Sequence, residues 1–596
     1  MNSTWRSTQY LRHEAFQPRN IVFVKRTNKA HQNRTLSYLT SVDVDRLLYN
    51  FRSTHGLSTE GAEKNGGWDA PDFPFRSHMQ GHFLTAWSQC WASVGDTTCR
   101  DKAQTFVAEL KKCQDNNEAA GFAPGYLSGF PESDFDLLEA GERKEVIYYA
   151  MHKTLAGLLD VWRHIGDDNA KDVLLNLAAW VERRNANFSH EEMQKILEVE
   201  YGGMQDVFAE LYFQTNDERW IKLAAKFDQD STNSWLAAGE DRLNGLHANT
   251  NIPKWLGAAR EYKATGTSKY RDIASNSWDM VVDTHSYAIG GNSQNEHFRP
   301  PNAIADYLEH DTAEHCNTYN MLKLTKELWT LDPSAKYMDF YERALQNHIL
   351  GAQDPESAHG HITYFSPLNP GGRKGKGPVW GGGTWSTDYD SFWCCQGSGI
   401  EQNTRLMDTI YGYDEDSLYV NMFAPSTLNW EDKSVKIIQS GNVPQDDTVT
   451  IKVEGEGTFD MKIRIAPWAS SATISVNGGE QSTTAEPGTY ATVSRSWASG
   501  DEVTLQLSMS PYLIPANDDK DLAAIAYGPI VLIGNYGDEE VSSTPTVDLG
   551  SFKRTSDSDA KFRVTADGKE VDLVPWQDGG AHFNYVTYWR LSGSLP

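Results

Sequence analysis

At 596 residues the chain has room for two to four domains, and a hydrophobic content of 39% with 19 tryptophans excludes a disordered protein. A formal net charge of −27 repels phosphate backbones and anionic lipid, which sets nucleic-acid and membrane-surface binding aside. No apolar run approaches the roughly 18–20 residues of a membrane span.

After an N-terminal extension, residues 1–34, the chain reads as a long series of helices to about residue 415. Apolar residues recur at helical spacing around Phe106, Val107 and Leu110; around Leu155, Leu158, Leu159 and Trp162; and around Leu174, Leu175, Leu177 and Trp180. Similar short turns separate these stretches: Ser93-Val94-Gly95-Asp96, His164-Ile165-Gly166-Asp167, Gln214-Thr215-Asn216-Asp217 and Ala264-Thr265-Gly266-Thr267. A Gly or Asn at the third position suits the left-handed residue that ends a helix, and the next polar residue opens the following one. The last three recur about every 50 residues, as one helix hairpin per unit requires, and predict a closed double ring of helices ahead of an open solenoid. From residue 416 to 596 the period changes to alternation, as in Val449, Ile451, Val453 and Met461, Ile463, Ile465, with turns such as Asn477-Gly478. This predicts antiparallel β modules, most simply sandwiches, packed on the helical part.

The chemistry centres on six cysteines. Cys394 and Cys395 are adjacent, in Trp393-Cys394-Cys395-Gln396-Gly397-Ser398-Gly399, and Cys316 lies in Ala313-Glu314-His315-Cys316-Asn317. Three sulfurs and one carboxylate complete a tetrahedral ligand set for zinc; buried inert thiols or a strained vicinal disulfide are the competing readings. Asp311-Thr312 can cap a helix running through Met321 and Leu328, and a bend at Gly397–Gly399 would let both adjacent thiols reach one ion. Of the remaining three, Cys99 and Cys113 on one helix would lie about 20 Å apart, too far to bond. Cys90 with Cys99 across a turn is the better pair, and three buried thiols are the alternative. Sequons at Asn2, Asn33 and Asn187 lean towards secretion, although no signal peptide heads this chain.

Several segments together closely resemble the β-L-arabinofuranosidase families, glycoside hydrolase families 127 and 146, nearer to 146. They are 289–298 (Ile-Gly-Gly-Asn-Ser-Gln-Asn-Glu-His-Phe), Glu314–Leu324, Phe392–Cys395, Asp45–Arg52, Gly81–Leu84, Tyr201–Met204, His247–Pro253 and Tyr527-Gly528-Pro529. The resemblance spans roughly residues 35–430. It implies an (α/α)6 barrel followed by β-sandwich modules, and a retaining hydrolase that uses a zinc-bound cysteine where other glycosidases use a carboxylate. Carried over by position, Cys394 is the nucleophile, Glu296 the general acid/base, and Glu314, Cys316, Cys394 and Cys395 hold Zn2+.

His152 and His247 fall where the family contacts sugar, and a histidine can donate and accept as hydroxyl groups require. Tyr364, thirty residues before Cys394, and His82 are further pocket candidates, each with a packing alternative. Two departures concern the exact sugar: Gln205-Asp206 follows the Tyr201–Met204 motif in place of the commoner Asn-Glu, and Ala313-Glu314-His315 replaces Pro-Glu-Ser. The Gly/Trp-rich stretch 371–383 reads as a loop near the site. The expected activity is exo-release of β-L-arabinofuranose from plant-type oligo- or polysaccharides. The alternatives are another furanose or L-sugar, a lyase or epimerase on a helical toroid, and a sugar-binding protein with structural zinc.

Overall fold

The computed structural model describes residues 14–15, 21–23, 27–142, 145–376, 384–480, 485–556 and 560–596. The Asn2 sequon and residues 377–383 of the Gly/Trp-rich loop lie outside them.

The repeated turns form helix hairpins as their sequence dictates. Gly95, Gly166, Asn216 and Gly266 end their helices in the left-handed region, at φ +69°, +79°, +55° and +70°. Asp96, Asp167 and Asp217 then accept backbone N–H groups of the next helix, so each of these three turns satisfies both helix ends within four residues, whereas Thr267 makes no side-chain cap bond. Neighbour relations among the helices close on themselves. His78–Val94 packs on Ile147–Ile165, which meets Met204–Thr215; then come Ala248–Thr265, His315–Leu331 and Cys394–Thr404, and the last returns to His78–Val94. Outer partners back this circuit: Thr97–Asp115, Asp168–Asn185, Glu218–Ala224, Ser268–Met280, Ala335–Ala344 and Thr27–Ser41. Cys90 and Cys99 are disulfide-bonded across the first of the four turns, whereas Cys113 is a buried free thiol. Among the described residues no helix is long and apolar enough to cross a membrane.

Among the described residues the β region comprises three sheets. A five-stranded and a seven-stranded sheet share one apolar core, with Leu418, Met461, Ile463 and Val493 against Ile437, Ile451, Val503 and Leu505. Both recruit the N-terminal extension: Glu14–Ala15 pairs with Tyr411–Tyr413, and Ile21–Phe23 with Ser426–Trp430. Strands 14–15 and 21–23 of the extension therefore join the β region, while its residues 27–34 begin the outer helix Thr27–Ser41. The third sheet, from Pro511 onward, departs from the sandwich expectation. Its strands run in the order 522–527, 588–592, 546–554, 562–566, 569–575, 530–535, and the last bonds back to the first, so the ladder closes.

Helical and β parts are welded by buried polar contacts. Arg464, fully buried, pairs with Asp339 and Glu342 on an outer helix, at 2.6 Å each. The closed sheet docks beside the segment leading to Glu296, where the Tyr588 hydroxyl accepts the Ala288 N–H at 2.7 Å.

Candidate active site

The residues that begin the inner helices meet at one end of the circuit. His247 is the N-cap of Ala248–Thr265, Glu314 the N-cap of His315–Leu331, and Cys394 and Cys395 are the first two residues of Cys394–Thr404. Two sequence expectations change here. The helix near Glu314 is not capped by Asp311-Thr312: the Thr312 hydroxyl donates to Glu309 O and Ser366 O, and the helix starts three residues later. Nor do Gly397 and Gly399 make a bend. Successive residues of a helix point about 100° apart, so two thiols in a first turn can face one point without any bend. Gly397 serves a close approach instead, since a Cβ there would stand 2.3 Å from His82 Cδ2.

One ligand atom each from Glu314, Cys316, Cys394 and Cys395 lies within 4.8 Å of the others, and all four residues are buried. Glu314 Oε1 is 3.9 Å from both Cys394 Sγ and Cys395 Sγ, which are themselves 3.9 Å apart. Glu314 Oε2 is buried with no hydrogen-bond partner. Burial pushes the Glu314 carboxyl and the Cys394 and Cys395 thiols upward, away from their charged forms. An orphaned carboxylate oxygen beside three thiols is costly to bury alone and is the donor set of a soft divalent cation, so these residues fit zinc. Ser398, one helical turn beyond Cys395, places its Oγ 3.2 Å from Cys316 Sγ and 3.1 Å from His315 Nδ1. Sequence reasoning missed it; had the segment been read as helix, the i, i+3 spacing was the available signal.

A single hydroxyl joins the sulfur side to a carboxylate. Tyr364 donates to Glu296 Oε1 at 2.5 Å and lies 3.5 Å from Cys394 Sγ. On the other side of Glu296, Oε2 is 3.5 Å from His247 Nε2. His247 Nδ1 accepts the Thr250 N–H at 3.2 Å, which leaves Nε2 as the nitrogen that bears a proton towards Glu296. Glu200 extends the line by accepting from the Thr250 hydroxyl at 2.8 Å, a residue no motif flagged. Burial raises the Glu296 carboxyl, but hydrogen bonds from His247 and Tyr364 outweigh it and hold the group below the ordinary glutamate range. The backbone is strained around these groups: Ser293, Asn295, Glu296, Ala313 and Phe392 all have positive φ.

His152 is buried beside the Tyr201–Met204 motif, its Nδ1 accepting the Gly203 N–H at 3.2 Å. His82 is placed behind the Cys394 helix, its Nδ1 against Glu401, whose other oxygen accepts from Tyr319. It is 1% exposed, a position that supports the helix from within the ring rather than facing the open side. The departure at Asp206 sits in an ionic network with Arg260 and Lys323. Trp68, which no motif flagged, and the buried Trp393 of the Phe392–Cys395 motif lie edge-on to Tyr364 at 6.1 and 6.2 Å.

Residues 22–408 match the family model described as β-L-arabinofuranosidase, GH127 catalytic domain, and residues 417–509 match the GH127 middle domain. The chain belongs to glycoside hydrolase family 127. This family 127 protein is a glycoside hydrolase, and its fold recurs in solved structures. A GH127 β-arabinofuranosidase aligns with TM-score 0.75 at 17% identity, over 98% of this chain and 99% of the other. A GH127 β-L-arabinofuranosidase from Geobacillus stearothermophilus gives 0.75 at 18%, over 96% and 100%. A structure titled glycoside hydrolase gives 0.73 at 16%, over 98% and 99%. At these identities the likeness concerns the fold. No curated protein sequence matches the chain significantly.

Proposed function

We propose that this hydrolase releases β-L-arabinofuranose from the ends of plant-type oligo- or polysaccharides, with retention at the anomeric carbon. We read the closed helical circuit as an (α/α)6 barrel and the paired sheets as a β-sandwich, and the motif spelling at Ile289–Phe298 and Phe392–Cys395 as leaning towards family 146. The observation that carries the mechanism is the line Cys394 Sγ, Tyr364 hydroxyl, Glu296 carboxylate, with one hydroxyl between nucleophile and acid. That is the short span a double-displacement mechanism needs, since no water has to fit between the two groups in the first step.

Glu314, Cys316, Cys394 and Cys395 are the residues that would hold zinc. Bound there, the ion supplies charge compensation that keeps Cys394 as a thiolate at neutral pH. The Cys394 sulfur then attacks the anomeric carbon as the bond to the leaving oxygen breaks, and Glu296 gives that oxygen its proton. Glu296, now anionic, takes a proton from water; the water oxygen attacks the same carbon and the carbon–sulfur bond breaks. The depressed Glu296 carboxyl is set for this second half, and the first half draws on its protonated fraction. His152 and His247, with a proton on Nε2, are assigned to sugar hydroxyls, and His82 to orienting the nucleophile helix through its contact with the Gly397 turn. The Cys90–Cys99 disulfide supports an oxidising, extracellular location.

The test is turnover of p-nitrophenyl β-L-arabinofuranoside beside zinc quantification, followed by Glu296→Gln on an activated substrate. Turnover with retained configuration and a glycosyl adduct on Cys394 is expected. A folded, zinc-loaded protein with neither turnover nor adduct on any L- or furanosyl substrate would leave a sugar-binding protein with structural zinc.

A further inference from the structure

The segments that bring Tyr364 and Cys394 to the reaction centre meet again further out, at a cluster the mechanism does not use. Residues 353–362 form a hairpin closed by a bridge between Gln353 and Ile362, and Thr363 bridges to Trp385 on the incoming segment. The Ile362 N–H donates to Ser386 Oγ at 2.9 Å, and the Ser386 N–H donates to Ile362 O at 2.9 Å. On this frame His359 and His361 flank Gly360, whose φ is +62°. Both histidine N–H groups donate to Ser357 Oγ, at 3.2 and 3.3 Å, so the backbone holds the pair in place.

Their rings converge on Asp388. His359 Nδ1 is 2.9 and 3.0 Å from the two carboxylate oxygens, and His361 Nε2 is 3.0 Å from Oδ1. One donor atom from each residue lies within 4.8 Å of the other two. The side chains are 28%, 27% and 37% exposed, open enough for an ion to enter. Outer contacts steady the set: His359 Nε2 is 3.5 Å from Ser41 Oγ, and the Asp388 carbonyl accepts from the Tyr38 hydroxyl at 2.7 Å. That hydroxyl in turn accepts from Gln396, in the first turn of the nucleophile helix, at 3.3 Å.

Two imidazole nitrogens and one carboxylate, with water in a fourth position, are zinc-type ligands, whereas calcium and magnesium prefer oxygen alone. Around an ion with bonds of ~2.0–2.1 Å, tetrahedral donors stand about 3.3 Å apart; the nitrogen–oxygen separations here are 2.9–3.0 Å, and all three donors lie within 4.8 Å of one another. Without an ion, both facing nitrogens must carry protons to satisfy Asp388; an ion replaces those two protons. We propose that His359, His361 and Asp388 hold a second, zinc-class divalent ion that clamps the segment carrying Tyr364 to the segment leading into Cys394. Tyr364 follows His361 by three residues, and Cys394 follows Asp388 by six, so the clamp fixes both approaches.

The test uses untagged full-length protein, stripped of loosely held metal and titrated with zinc and, separately, with cobalt(II). The wild type takes up an equivalent whose cobalt spectrum lacks thiolate-to-metal charge transfer, distinct from the cysteine-held ion that shows it. His359→Asn and His361→Gln each keep an N–H donor facing Asp388 but remove the ligand. In both, affinity for that equivalent falls at least about tenfold while circular dichroism and the thiolate-type spectrum stay unchanged. Wild type saturating with the cysteine-held ion alone, or variants binding the extra ion with wild-type affinity, would overturn the proposal. Uptake of the histidine-held ion without any thiolate-type spectrum would support it while refuting the metal site of the proposed mechanism.

Discussion

The two ends of the helical ring are built by opposite rules. At the end made by the hairpin turns, four of the inner helices stop at a left-handed Gly or Asn, and the outer helix that follows starts, in three of the four turns, at an aspartate that caps it. At the other end the cap positions carry chemistry. Glu314, Trp393 and Gly203 make no side-chain cap bond, and His247 caps while facing Glu296. Positive φ at non-glycine residues also gathers there, at Ser293, Asn295, Glu296, Ala313 and Phe392. One end therefore stabilises the ring and the other uses that stability to hold strained, uncapped and mutually repelling groups together.

Substitutions should separate the ends. Cys394→Ser is expected to lower kcat/KM by on the order of 10³-fold or more, and Glu296→Gln by about 10²–10⁴-fold on substrates with poor leaving groups. Thermal midpoints within a few degrees of wild type would confirm that these groups act on rate rather than on fold. Tyr364→Phe is the intermediate case: losing a hydrogen bond to a charged group should lower kcat about 10–100-fold. It also has a signed pH consequence. In the proposed mechanism the first step needs protonated Glu296, so kcat/KM falls as pH rises through the Glu296 pKa. Tyr364 helps depress that pKa, so Tyr364→Phe should move the alkaline limb to higher pH. An unmoved limb would remove Glu296 as the titrating acid. The smallest effects belong to the other end. Asp167→Ala should cost about 1 kcal/mol and Gly166→Ala about 1–2 kcal/mol, read as a lower thermal midpoint with kcat unchanged.

What the sequence made legible was local or compositional. The four turns announced themselves because glycine, asparagine and aspartate have fixed jobs at helix ends, and the Glu314, Cys316, Cys394 and Cys395 cluster because cysteine is rare enough for its spacing to be noticed. Helix geometry excluded Cys99 with Cys113 and favoured Cys90 with Cys99, while three free thiols stayed open until the structure showed the bond. The unread features depend on long-range partners. His82 finds Glu401 across 319 residues, and nothing near either residue hints at the other. The adjacent thiols were assigned to a bend because two glycines follow them, yet those glycines answer to His82 and Ile362 packing from elsewhere. Closure of the third sheet rests on one hairpin, 522–535, whose two continuous apolar strands read the same in an open sheet.

The N-terminal extension carries a consequence for synthesis. Glu14–Ala15 and Ile21–Phe23 are edge strands of sheets whose other members begin near Tyr411. At about 5–20 residues per second, these two strands wait roughly 20–80 s after synthesis for their partners to be made. The helical ring is complete before they can dock. Until they do, the sheet edges at Tyr411–Tyr413 and Ser426–Trp430 stand open to pairing with another chain, so strands made long before their partners act as the closing stitch on the nascent protein.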